Sequence, residues 1–290
     1  MANLKEIRIR LASVQSTQKI TGAMKMVSAA KLRKAQTAIQ RLRPYSRKMT
    51  EILGNLATDA SDDNPLSVNR GNEKVVLIAI ASNKGLCGGF NSAVLKKIQH
   101  LLTNDYAEQV AKGTLQMITI GKRVSEFVQN KKIPALANYD ALLESVSFEK
   151  TAQIAEELMQ KFIAKEIDTV QIIYNEFKNA ATQTLTVEQF LPIVPMTDKQ
   201  QTVTATDYIY EPDKATLFAE LLPKAMKLRL FKCLLDSLAS EHGARMTAMH
   251  KATENANELT KQLNLTYNKL RQSAITNEII EIVSGAEALG

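Results

Sequence analysis

The feature that most constrains this chain is a 3,4 spacing of apolar residues that persists from Leu221 to Ile280. It passes through Leu221, Leu228, Phe231, Leu235, Leu238, Met249, Ala252, Ala256, Leu259, Leu263, Leu270 and Ile280, with Lys224, His242, Arg245, Thr266, Ser273 and Asn277 at the remaining steps. Alternating steps of three and four keep all of these on one side of an α-helix, the pattern of a coiled-coil seam. Before Ser284 the stretch has no glycine except Gly243 and no proline except Pro223. It therefore predicts one helix of about 70 residues, about 100 Å at 1.5 Å per residue. Such a helix cannot be buried in an ordinary globule and needs a partner helix.

The other end of the chain supplies one. From Leu4 the same spacing runs through Ile7, Leu11, Val14, Leu32, Ala35, Ile39, Leu42, Met49, Leu53 and Leu56. Between Gln18 and Ser28 the stripe turns polar while Ile20, Met24 and Val27 appear beside it, so the seam is expected to slip round the helix there, like a stutter. Gly22 weakens the helix within that gap, and Pro44 should kink it. Setting Leu56 beside Leu217 gives an antiparallel register in which paired numbers sum to about 273. The C-terminal helix then outruns its partner by about 15 to 20 residues, roughly 25 to 30 Å. This register lays the polar gap beside His242 and Arg245. Lys25 and Arg245 are then expected as like charges on neighbouring turns, facing an acidic partner.

Between the helices the pattern changes. Residues 59–72 are polar and turn-rich, which ends the first helix near Ala57. Val75 to Ile80 is a continuous aliphatic run, the mark of a strand covered on both faces. Further strands are expected at Leu115 to Ile120, Thr169 to Tyr174 and Thr184 to Pro192. Helices are expected near Ser92 to Leu102, Lys122 to Gln129 and Phe148 to Ala164. Strands alternating with helices give a small α/β domain with a largely parallel sheet. The fold class is thus α/β, a long antiparallel coiled coil carrying a Rossmann-like domain. The expected parts are an N-terminal helix over 1–58, an α/β domain over 73–207 and a C-terminal helix over 211–290.

Composition narrows the function. The chain has 290 residues, 45% hydrophobic, 5% aromatic with no Trp, and a formal charge of +7. The basic balance allows nucleic acid, an anionic surface or an acidic protein as partner without choosing among them. Cys87 and Cys233 form no disulfide framework. With three histidines they show no ligand spacing, so no metal is expected. No run of 18 apolar residues is present, and the expectation is a protein that reaches a membrane only through partners.

Ser82 to Asn91 (SNKGLCGGFN) follows a strand and opens a helix, where a phosphate could sit. It lacks the Lys-Ser/Thr ending of a phosphate loop and the dinucleotide spacing. The plain reading is a tight turn whose glycines permit positive φ and close backbone contact. Cys87 has no histidine at motif distance and reads as a packing residue. Glu156 and Glu157 precede Lys161 and Lys165 on a predicted helix and read as a salt-bridged, solvated face. No catalytic residue and no cofactor is expected.

Several motifs together resemble the gamma subunit family of F-type ATP synthases over nearly the whole length. They are Ile20 to Val27 (ITGAMKMV) with Ala30-Lys31-Leu32, the turn Gly85 to Asn91, Tyr210 to Asp213, Glu241 to Met249 (EHGARMTAM), and Tyr267 to Ala286. Gly22 departs from the family, which usually has a larger residue there. The resemblance implies a non-catalytic rotor shaft inside three alpha and three beta subunits, its α/β foot on the membrane c-ring beside epsilon. It implies one copy per complex on the cytoplasmic face of a bacterial inner membrane. It matches Met24, Lys25 and Arg245 to contacts with an acidic loop of beta, and Arg271, Gln272 and Thr276 to beta contacts higher up. It matches Tyr208, Tyr210 and Glu211 to the c-ring and epsilon side. A non-rotary coiled-coil scaffold and a nucleotide-binding enzyme using the Gly85 turn are the alternatives.

Overall fold

The computed structural model describes residues 4–60, 64–180, 182–193, 211 and 213–287, with the side chains of all but 57–60. Two terminal helices, α1 (Leu4–Ala60) and α6 (Lys214–Glu287), enclose the α/β part in sequence. Between them come β1 (Val75–Ile80), α2 (Phe90–His100), a π-turn at Leu101–Asp105, α3 (Ala107–Lys112), β2 (Leu115–Ile120) and α4 (Lys122–Asn130). Then follow β3 (Ala135–Asn138), a 3-10 turn at Asp140–Leu143, α5 (Phe148–Ile163), β4 (Thr169–Phe177) and β5 (Gln183–Leu191). The chain divides into two compact units, Met1–Ser28 with Met246–Gly290, and Ala29–Arg245.

In the larger unit the strands form one sheet in the order β3-β2-β1-β4-β5. The first four are parallel and β5 runs antiparallel to β4. β1 is buried along its whole length, as an aliphatic run in the middle of a doubly covered sheet must be. On one face Val75, Leu77, Ala79, Met117 and Ile173 pack with Val94 and Ile98 of α2 and Val124 and Val128 of α4. On the other, Val76, Ile78, Ile80, Ile172 and Phe190 pack with Ile154, Leu158 and Phe162 of α5. Leu56 of α1 and Leu222, Met226, Leu230 and Leu234 of α6 complete that layer. Each such side chain contributes about 1.5 to 3 kcal/mol by leaving water. The terminal helices are thus built into the sheet's core at this end.

Local chemistry starts and holds the helices. Asp213 caps α6, its Oδ1 accepting the Thr216 N–H at 2.8 Å and its Oδ2 the Thr216 hydroxyl at 2.8 Å. Ser147 caps α5 through the Lys150 N–H at 3.3 Å. α6 continues through Pro223, which lacks the N–H for one i to i−4 bond, because Leu222 and Met226 on either side are buried. Phe148 meets Phe231 edge to face at 5.5 Å, and Lys227 pairs with Glu156 at 2.8 Å. The expected Glu156–Glu157 face is therefore different. Glu156 reaches α6, Glu157 accepts from Tyr139, and Lys161 turns to Glu166.

In the smaller unit, residues 4–28 of α1 and about 246–270 of α6 pair antiparallel. Thr253 donates to the Thr21 hydroxyl at 2.9 Å, Gln18 Nε2 donates to Asn257, and Lys25 Nζ lies 3.4 Å from His250 Nδ1. Paired numbers sum to 274 or 275, close to the expected 273. The expected slip of the seam does not occur. Thr21 and Ser28 stay buried on the heptad stripe, whereas of the residues expected to replace them Ile20 and Val27 are each 57% exposed and Met24 is only half-buried. A small hydroxyl tolerates the seam because it finds an acceptor there, as Thr21 does on the Gln18 carbonyl at 3.1 Å. The gap also lies beside His250 and Asn257, not His242 and Arg245.

The sequence missed α3 and β3, both too short to show a period. It placed the ends of α1, α2, β4 and β5 within a few residues of their positions, and β1 and β2 at the observed limits.

Two outcomes test this arrangement. Cysteines replacing Thr21 and Thr253 should form a disulfide on mild oxidation, and a Thr21/Thr260 pair, two turns out of register, should not. Cys87 and Cys233 are buried and will not compete. Separately, burial raises the Asp236 carboxyl to about 6, with Lys232 opposing. The folded state then holds a proton that the unfolded chain releases nearer pH 4, so this group's penalty is present above pH 6 and vanishes as pH falls below about 4. Asp236→Asn should stabilise the protein at pH 8 by up to about 3 kcal/mol, since each tenfold loss of acidity on folding corresponds to about 1.4 kcal/mol. Unfolding curves should show the gain shrinking as pH falls through 6.

Candidate partner-binding site

At the carboxyl end of β1 the turn 82–91 is tied by its own side chains. The Ser82 N–H donates to Asn91 Oδ1 at 3.1 Å and the Ser82 hydroxyl donates to the Lys84 carbonyl at 2.6 Å. Asn91 Nδ2 donates to the Ser82 oxygen at 2.8 Å and to Cys87 Sγ at 3.2 Å. Cys87 is buried, as a packing residue should be. Gly88 takes φ +60°, and Leu86 takes φ +62° although it carries a side chain. A non-glycine residue in that region is uncommon and needs its surroundings to hold it.

The holding group comes from α6. Arg245 Nη2 donates to the Lys84 carbonyl at 2.9 Å and, more weakly, to the Gly85 carbonyl at 3.4 Å. Its Nη1 pairs with Glu241 at 2.6 Å, both side chains about nine-tenths buried. One turn back, the Ser240 hydroxyl donates to the Asn175 carbonyl at 3.0 Å. Gly243 lets the helix pass close to the β4–β5 turn, since a Cβ there would lie 3.3 Å from the Ala180 backbone. Open α/β sheets commonly receive ligands at the carboxyl ends of their strands. Here α6 covers that edge.

The charges are arranged for a closed contact. Burial pushes the Glu241 carboxyl up, and the Arg245 guanidinium pulls it back only in part. Burial, with Arg245 and Lys31, lowers His242 to about 4, so the ring is neutral at pH 7. Its Nδ1 lies 3.4 Å from Arg245 Nη1. Arginine can only donate, which leaves Nδ1 as the acceptor and the ring proton on Nε2.

Arg245 is therefore not the open cation expected from the sequence. Its long side chain reaches the sheet's edge and its charge is neutralised there. The signal that could have shown this is the i, i+4 spacing of Glu241 and Arg245, which suits an ion pair on one helix face. The carbonyls of Lys84 and Gly85 give no such signal, because only the fold brings them to α6.

The other predicted residues lie in different settings. Met24 and Lys25 are half-buried in the smaller unit, with His250 beside Lys25 and Glu254 3.5 Å from His250 Nε2. Arg271, Gln272 and Thr276 share the segment 271–287, which is exposed throughout. With numbers summing to 275, residue 4 lies opposite residue 271, so this segment has no helix of α1 against it. Its exposed residues include Ile275, Ile279, Ile280, Ile282 and Val283. Glu211 is exposed, and Tyr208 and Tyr210 lie outside the described residues. Among the described residues no cluster of His, Cys, Asp or Glu could hold a metal ion, and no helix is long and apolar enough to cross a membrane.

A family model described as ATP synthase matches residues 3–289. The ATP synthase gamma chain of Flavobacterium johnsoniae is 51% identical over 100% of this chain and 99% of its own length. That of Geobacter sp. strain M21 is 45% identical with the same coverage. Among solved structures, a chain of the Euglena gracilis mitochondrial ATP synthase (OSCP/F1/c-ring) aligns with TM-score 0.69 and 22% identity, covering 99% of this chain and 94% of that one. A chain of the Tetrahymena thermophila mitochondrial ATP synthase central stalk and c-ring gives TM-score 0.59 and 24% identity, covering 80% and 99%. The fold is shared with these, and the identity to the bacterial relatives over the full length shows that this chain belongs to the ATP synthase gamma chain family.

Proposed function

We propose that this chain is the central rotor shaft of an F-type ATP synthase, coupling rotation of a c-ring to the catalytic cycle of the beta subunits while catalysing nothing itself. The observation that carries the reading is the segment 271–287. It is a helix with a row of exposed isoleucines and no partner among the described residues. Exposed apolar surface of this kind marks a contact with another protein. A sleeve of alpha and beta subunits would cover it without the directional bonds that a turning shaft would have to break.

Arg271, Gln272 and Thr276 would meet beta within that sleeve, and Met24 and Lys25 would meet it lower down. Tyr208, Tyr210 and Glu211 would face the c-ring and epsilon. The complex would hold one copy of this chain with three alpha and three beta subunits, peripheral to the cytoplasmic face of a bacterial inner membrane. Coupling requires contacts that differ among the three beta subunits, since a shaft binding all states equally shifts none. A single hairpin has no threefold symmetry and meets that requirement.

Arg245 acts in this scheme by fixing the 84–89 turn to α6, which presents Leu86, 64% exposed, as a rigid contact for beta. Arg245→Ala leaves Glu241 buried without its partner and should destabilise the chain by about 3 to 5 kcal/mol. Glu241→Gln with Arg245→Met removes both charges and should restore most of that loss, read by thermal unfolding. In membrane vesicles the double variant should still assemble but pump fewer protons per ATP hydrolysed, because the turn is untethered. An unchanged ratio would show that the tether does not serve coupling. For the shaft itself, cutting the chain after Leu270 should lower ATPase activity in the assembled complex, measured against the full chain, and equal activity would refute a role for the overhang.

A further inference from the structure

In the larger unit a cavity of about 160 Å³ lies between α1 and the first turns of α6. Met49 and Leu53 line it from one side and Phe218, Leu222 and Met226 from the other. A dry cavity of about 150 Å³ is enough to hold a benzene ring.

The wall is not apolar throughout, since Arg229 and Lys232 also line it. Arg229 uses only its Nε, donating to Glu188 Oε1 at 2.5 Å. The other Glu188 oxygen accepts from the Tyr174 hydroxyl at 3.0 Å and the Cys233 thiol at 3.7 Å. Both oxygens of the one carboxylate lining the cavity are thus engaged by the protein. The two terminal amino groups of Arg229 and the ammonium of Lys232 make no hydrogen bond to the described residues, though Lys232 lies within electrostatic reach of Asp236 and Glu188. A planar guanidinium edge with free N–H groups beside a second cation matches a carboxylate.

We infer that this cavity binds a small amphipathic carboxylate, its aryl or alkyl body among Met49, Leu53, Phe218, Leu222 and Met226 and its carboxylate on the free edge of Arg229 and on Lys232. The site does not depend on the rotor role. A ligand there touches both terminal helices at their junction with the sheet and so stabilises the folded state by mass action.

Calorimetric titration of the full chain with 3-phenylpropanoate tests the assignment, with 3-phenylpropan-1-ol as the uncharged control. One saturable site is expected, about tenfold tighter for the acid than for the alcohol. Lys232→Met should weaken the acid at least fivefold and leave the alcohol unchanged. Gly54 also lines the cavity, and a Cβ there meets nothing within 4 Å. Gly54→Phe should therefore fill the space, keep the fold by its unfolding curve, and abolish binding of both compounds. Absence of a saturable site, equal affinity for acid and alcohol, or full binding by Gly54→Phe each overturns the proposal.

Discussion

A helix with one apolar side needs cover along all of it, and α6 finds a different cover at each stage. Its first turns place Leu222, Met226, Leu230 and Leu234 in the core beneath the sheet. Between Ser240 and Arg245 the cover is polar backbone at the sheet's carboxyl edge, reached by hydroxyl and guanidinium. From Met249 to Leu263 it is the facing stretch of α1. Beyond Leu270 the described residues offer none. The sequence of partners along one helix divides the protein into a part that folds on itself and an end that is bare among the described residues.

The change from apolar to polar cover at Ser240–Arg245 concentrates buried charge in a short length of helix. Breaking such a pair costs more than forming it gains, because a lone buried charge has lost its water and has no replacement. The Glu241–Arg245 pair therefore acts as a specificity device for docking the 84–89 turn more than as a source of stability. His242 and Asp236 titrate in opposite senses nearby. Between about pH 4 and 6.5 the unfolded chain takes up a proton that buried His242 refuses, which lowers stability as pH falls. Asp236 gains stability over much the same range. The two slopes offset, and the junction's stability is levelled across mildly acidic pH.

Much of this was legible in the sequence because periodicity is a property of the chain alone. The seam from Leu221 to Ile280, the doubly covered run at Val75 and the unpaired end of α6 all follow from it. At Gln18 to Ser28, hydrophobicity alone points to the wrong side of the helix. Ile20 and Val27 lose to Thr21 and Ser28 because the 3,4 step decides which side faces the partner helix. A small hydroxyl bonded to a neighbouring carbonyl or hydroxyl fits there at little penalty. Arg245 was misread for another reason. Its neighbours on the sheet's edge lie about 160 residues away in sequence, and no local pattern carries that distance.

The bare segment from Arg271 to Glu287 also bears on the order of events in the cell. Isoleucines that none of the described residues hides are sticky from the moment the helix forms, and two such ends can find each other as readily as any other apolar surface. Chains made faster than the surrounding subunits would then accumulate as associated, unusable pairs. If the proposed sleeve of other subunits covers this end, a balanced supply of them is a condition of solubility for this chain as well as of activity for the complex.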